Sequence, residues 1–177
     1  GLASGFLEPL ESTAIHLIQS GISRLVSMFP HRDFDQRVID EYNRRQRFEF
    51  ESIRNFLVLH YTAVERDDSP FWRDCAAIRQ PTELGDKIEL FRASGLIHRE
   101  GEELFTTGSW LQVMLGQGIV PRRYHRLADG MPAQQLRGFL NQMRGQIEHA
   151  TATLPAHADF IARHCAGPTA PIQSAPA

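Results

Sequence analysis

Apolar residues recur at helical spacing from the first twenty positions onward. Ile15, Ile18, Ile22, Leu25, Val26 and Phe29 predict an amphipathic helix that Ser12 or Thr13 starts as N-cap and Pro30 stops. Before it, residues 1–12 read as an apolar loop containing Gly and Ser and closed by Pro9. After the turn His31-Arg32-Asp33-Phe34-Asp35, residues 35–63 read as one long helix, with Val38, Ile39, Tyr42, Ile53, Leu57 and Tyr61 on one side. The middle of that helix, NRRQRFEFE, is heavily charged and is expected to face water over part of its length. Ser69-Pro70 predicts a short helix over about 70–78, and Pro81-Thr82 another over about 82–94 that Gly95 ends. Residues 96–106 suggest a small hairpin around Glu100-Gly101. Ser109 is expected to start a short apolar helix that Gly116 ends, Pro132 a long one to about Thr153, and Pro155 a last one to about Cys165. No repeat is apparent, and the predicted fold class is mainly α.

Composition narrows the classes. In 177 residues, 42% are hydrophobic and 23% charged, with a formal net charge of -2. That is enough apolar material for a core, so a disordered chain is excluded. No apolar run reaches the length of a membrane span, and a near-neutral balance speaks against nucleic acid as partner. Arg122, Arg123 and Arg126, beside Tyr124 and His125, therefore read as a solvated face, as do Arg44–Arg47. Cys75 and Cys165 stand 90 positions apart, with neither disulfide-framework nor metal-finger spacing, so a reduced cytoplasmic setting is expected. Lys87 is the single lysine. The opening, GLASGFLEPLESTAI, reads like the middle of a domain, and the tail from Gly167, GPTAPIQSAPA, reads as disordered. The expected organisation is a contacting loop and helix start over 1–15, a helical module over 16–166 and a tail over 167–177.

Leu7 to Ile15, LEPLESTAI, carries the candidate chemistry. Glu8 and Glu11 stand beside a helix start, where unpaired backbone N–H groups and a partial positive charge favour an anion. Thr13 and Ala14 supply N–H groups in that first turn, and Gly1 and Gly5 let the loop backbone approach a flat ligand. A capped helix after a tight loop, with Glu11 only complementing the dipole, is the plainer reading of the same residues. His16 is a general base on one reading and a hydrogen-bonded structural histidine on the other. His60-Tyr61 read as packing and dipole complement, and Phe71-Trp72 as core anchors.

The segment GLASGFLEPLESTAIHLIQ resembles the signature of the flavin-dependent halogenases of the tryptophan halogenase family. HYTAVERDDSPFWRDC (60–75) and GQGIVPRRYHRLAD (116–129) resemble two further blocks of that family, in the same order. The resemblance is to the family's C-terminal part. It implies the helical portion of an FAD-dependent monooxygenase-like α+β fold, with the N-terminal flavin-binding half, its nucleotide loop and its lysine lying upstream.

What the resemblance implies chemically is oxidation of chloride or bromide by reduced FAD and O2, followed by halogenation of an aromatic small molecule such as tryptophan or indole. Glu11, the glutamate immediately before Ser-Thr, is the implied catalytic residue. Thr13 and Ala14 are the implied halide-binding residues, and Leu2, Ser12 and Ile15 the implied FAD contacts. In EGEELFTTGSWLQ, Phe105 takes the place of the family's stacking tryptophan and Ser109 that of its asparagine, and no tyrosine pair is present. The implied substrate residues are Glu11, Phe105, Ser109 and Trp110, around indole or another electron-rich arene rather than free tryptophan. A flavin reductase is the implied partner and source of reduced FAD, nucleic acid and membrane are not partners, and a homodimer is allowed. A flavin monooxygenase that uses no halide, and a non-catalytic helical interaction module, are the other two classes.

Overall fold

The computed structural model describes Ala3, residues 5–165 and Gly167. Leu2, named above as an FAD contact, lies outside the described residues, as does the tail beyond Gly167. A 3-10 turn, Pro9–Glu11, precedes seven helices: α1 (Ala14–Ser27), α2 (Gln36–Thr62), α3 (Pro70–Ala76), α4 (Thr82–Ser94), α5 (Thr107–Gly116), α6 (Ala133–Ala152) and α7 (His157–His164). Two compact units, Gly1–His125 and Arg126–Ala177, make up the chain.

In the first unit α2 is the axis, and α1, α3, α4 and α5 all lean on it. Its start is capped by Asp35, whose carboxylate accepts the Arg37 N–H at 2.9 Å. The main core forms where the second half of α2 meets α4 and α5, and includes Phe56, Leu59, Leu84, Ile88, Phe91, Trp110 and Met114. A smaller cluster of Leu17, Ile53 and Leu57 joins α1 to α2. Gly95 ends α4 at φ 71°, and a Cβ there would stand 3.0 Å from the Arg123 carbonyl oxygen, so this turn needs glycine.

Two expectations are corrected. The 96–106 segment is not a hairpin, and the described residues contain no strand. A two-stranded ribbon is marginal by itself, and here the segment winds around one carboxylate instead: Glu103 Oε1 accepts the Glu100 N–H at 2.8 Å, and Arg99 donates to the Glu103 carbonyl. The α5 helix starts before Ser109, because Thr106 provides the cap and accepts the Ser109 N–H at 3.2 Å.

α1 faces an unusual way. With 3.6 residues per turn, Ile15, Ile22 and Val26 fall within about 40° of one another, and Ser20 and Arg24 lie roughly opposite. The side turned towards α2 carries Ser20 and Arg24 beside the buried Leu17. Glu49 of α2, within the run expected to face water, is 9% exposed. Its carboxylate receives His16 Nε2 at 2.9 Å, Ser20 Oγ at 2.8 Å and Arg24 Nη2 at 3.0 Å. The apolar side faces outward, with Ile15 69%, Ile22 55% and Val26 71% exposed.

In the second unit, α6 carries an apolar stripe of Leu136, Phe139, Leu140, Met143 and Ile147, and neither α6 nor α7 has a buried residue.

Candidate functional site

The 3-10 turn and the first residues of α1 build an abrupt corner. Ser12 adopts the left-handed backbone (φ 54°, ψ 32°), and its N–H bonds back to the Pro9 carbonyl at 2.9 Å. This reversal sends the chain straight into α1. No side chain caps α1, and its first backbone bond runs from the Leu17 N–H to the Thr13 carbonyl at 2.9 Å. The N–H groups of Ala14, Ile15 and His16 therefore precede the helical ladder. Thr13 is 3% exposed, and its hydroxyl is buried without a hydrogen-bond partner. A buried hydroxyl left alone costs about 1–3 kcal/mol. Its position at a helix N-terminus, where the dipole favours negative charge, suits an anion.

Glu11 stands beside that tip. Its Oε1 lies 3.2 Å from Nε2 of His60, near the end of α2. Nδ1 of the same ring lies 2.8 Å from the Phe56 carbonyl, so Nδ1 carries a hydrogen. Nε2 then faces Glu11 Oε1 at ion-pair distance, a pairing that carries charge on both sides only when the ring is protonated. The adjacent Tyr61 has its phenol pushed up from the usual range, first by burial and then by the Glu8 carboxylate at the other end of the 3-10 turn.

From His60 a ladder of rings leads into the core. Phe56 meets the His60 ring edge-on at 4.9 Å, stacks on Phe105 at 3.8 Å and meets Trp110 edge-on at 4.8 Å. Phe105 is thereby brought into line with Glu11. Trp110 is 1% exposed, so its own faces belong to the core. Lys87 Nζ sits 4.4 Å above its ring, and its Nε1 donates to Glu103 Oε2 at 3.1 Å. Lys87 also donates to both oxygens of Glu103, at 2.9 and 3.0 Å. This buried cluster borders a cavity of about 230 Å³ that Phe48, Glu83 and Glu100 also line. Ser109 is occupied in the α5 cap, its Oγ 3.1 Å from Thr106 Oγ1.

The expected residues Glu11, Ser12, Thr13, Ala14 and Ile15 share one corner because they are consecutive. His16 is held by Glu49, the structural alternative, and Ser20 donates to that carboxylate rather than to the imidazole, so no nucleophile is activated there. Three residues at this end of α2 and in the core were not among the expected site residues. His60 had been read as packing, although its His-Tyr pair opens the second family-like block. Lys87 and Glu103 carried no local signal at all.

A family model described as tryptophan halogenase matches residues 1–133. Tryptophan 6-halogenase ThaL of Streptomyces albogriseolus is 35% identical over 136 residues, which is 69% of this chain and 26% of that protein. Among solved structures, Xcc4156, a flavin-dependent halogenase from Xanthomonas campestris, is 52% identical with a TM-score of 0.88, over 97% of this chain and 34% of its own. BrvH, a flavin-dependent halogenase from Brevundimonas sp. BAL3, is 43% identical with a TM-score of 0.86, over 92% of this chain and 33% of its own. The chain thus spans about a third of the length of these structures or less.

Proposed function

The chain belongs to the tryptophan halogenase family, and from that membership we propose that it is the substrate-side part of an FAD-dependent halogenase acting on an electron-rich aromatic compound. The observation that carries the reading is the orphaned, buried Thr13 hydroxyl at the uncapped tip of α1. An unsatisfied hydroxyl beside free N–H groups fits chloride or bromide, with the N–H groups of Thr13 and Ala14 as the backbone donors. Ser12 and Ile15, together with Leu2, would hold FAD, for which the outward Ile15 side chain offers an apolar edge. Bound FAD, reduced by a separate flavin reductase, supplies the oxidation of halide by O2 to hypohalous acid.

Glu11 and His60 then manage protons. Halogenation forms a carbon–halogen bond on the arene, breaks the oxygen–halogen bond of the hypohalous acid and releases hydroxide. A proton delivered through the Glu11–His60 pair converts that hydroxide to water, and the proton displaced from the arene carbon passes to Glu11. Phe105 stacks against the arene, backed by Phe56 and Trp110, with Ser109 at the neighbouring α5 start. Indole fits this set better than free tryptophan, because no tyrosine pair stands ready for an amino acid backbone.

The test uses a chain that also carries the remaining two thirds found in the relatives, supplied with reduced FAD, bromide and indole. Glu11→Gln is expected to lower bromoindole formation by about 100-fold or more while consumption of reduced FAD stays at the parent rate. Equal loss of both rates would contradict the role of Glu11. A hydroxylated product that is never halogenated would instead assign the chain to monooxygenation without halide.

A further inference from the structure

We propose that the buried Lys87–Glu103 pair is a positioning device that holds Phe105 where its ring meets an aromatic substrate. That the ring meets a substrate rests on the proposed function; that the pair fixes the ring does not. The chain from Gly95 to Thr106, between α4 and α5, is neither helix nor strand, so no backbone ladder sets the place of Phe105. Glu103 does so from two positions before the ring. Its side chain is 4% exposed, and four hydrogen bonds fill its two oxygens. Oε1 accepts the Glu100 N–H at 2.8 Å and Lys87 Nζ at 2.9 Å, and Oε2 accepts Lys87 Nζ at 3.0 Å and Trp110 Nε1 at 3.1 Å. These donors belong to the segment itself, to α4 and to α5, so one carboxylate ties the loop to both helices. One position after the ring, Thr106 is fixed as the cap of α5. Phe105 is thus pinned from both sides, with its ring on Phe56 at 3.8 Å.

Stability does not account for the pair. Taking two charges out of water costs about as much as their attraction returns, and apolar groups of the same volume are often no worse. What the charges add is direction: a carboxylate with every lone pair bonded has one arrangement, whereas apolar packing allows several. The amine is wholly engaged, since Nζ also lies 4.4 Å above the Trp110 ring. Lys87 therefore acts on a substrate only through Phe105, as a positioning residue.

The first experiment uses the 177-residue chain with 13C-labelled phenylalanine, where no halogenation is needed. Stacking on Phe56 moves the Phe105 ring resonances upfield. Lys87→Met removes the charge at nearly constant volume and is expected to return them to the unstacked range. Lys87→Arg is expected to keep them, because a guanidinium still reaches both oxygens and the adjoining cavity of about 230 Å³ leaves it room. Should Lys87→Met not fold, Glu103→Gln takes its place. The second experiment uses the chain extended as above and measures the Kd of indole without flavin or halide. Lys87→Met and Phe105→Ala are each expected to weaken indole binding about 10-fold, and the double variant no further, since the lysine acts through the ring. Ile88→Val, at the neighbouring buried position of α4, is expected to lower the Tm and leave the Kd unchanged. Phe105 resonances unmoved by Lys87→Met, moved as far by Lys87→Arg, or additive losses in the double variant would overturn the proposal, as would an equal loss of binding in Ile88→Val. Indole binding that Phe105→Ala leaves intact would instead remove Phe105 from the proposed substrate site, and with it the substrate half of this inference, even where the resonances respond as expected.

Discussion

Thr13 is the residue where burial and chemistry disagree most sharply. A threonine hydroxyl without a partner destabilises the fold, so replacing it by the isosteric valine should raise the stability of the chain by about 1 kcal/mol in urea unfolding. The same Thr13→Val change should weaken the rise in Tm that added bromide gives the parent chain, if the hydroxyl faces the ion. Gain in stability with undiminished bromide response would detach the hydroxyl from halide binding. This corner was legible in the sequence because it is local. Glu11, Ser12, Thr13 and Ala14 are consecutive, and a carboxylate before a helix start needs no distant contact to be recognised. His60 was not legible, since its partner Glu11 is 49 positions away and only the fold brings Nε2 to 3.2 Å. Trp110 was legible as an aromatic but not as a buried one, for nothing near it announces that Lys87 covers its face.

Helices emerged from the sequence with nearly correct limits, because period and punctuation are properties of a short window. Pro30, Ser69-Pro70 and Gly95 stop or start elements where expected. The failures have a physical reason: residues 96–106 are organised by the Glu103 carboxylate, and a side-chain cluster has no period. Nor does a hydrophobic stripe say what it will meet, which is why the outward turn of α1 was invisible. The seam between α1 and α2 depends on one group. Removing the Glu49 carboxylate by Glu49→Ala leaves the partly buried Arg24 guanidinium with Gln46 as its remaining partner, and the expected loss is about 2 kcal/mol in chemical denaturation. A cost below about 1 kcal/mol would mean that water replaces the carboxylate at that seam. By contrast Glu41, though brought down to about 2 by Arg44 and Arg45, sits on the exposed side of α2, where such pairs matter little to folding.

At the scale of the whole molecule, every buried residue among those described lies between Thr13 and Ile119. The first unit therefore contains all of the core, and a chain ended after His125 is expected to unfold in one cooperative step within a few degrees of the full chain. Loss of the transition would show that α6 and α7 contribute to that core. The charge balance that speaks against a nucleic-acid partner belongs to this scale too, since it is a property of composition alone. Lys87 carries one more consequence. It is the sole lysine, and its side chain is 15% exposed, with the amine paired to the Glu103 carboxylate. Acylating dyes such as succinimidyl esters should leave the Lys87 peptide unlabelled in the folded polypeptide and label it in a denatured sample, as read by peptide mass spectrometry.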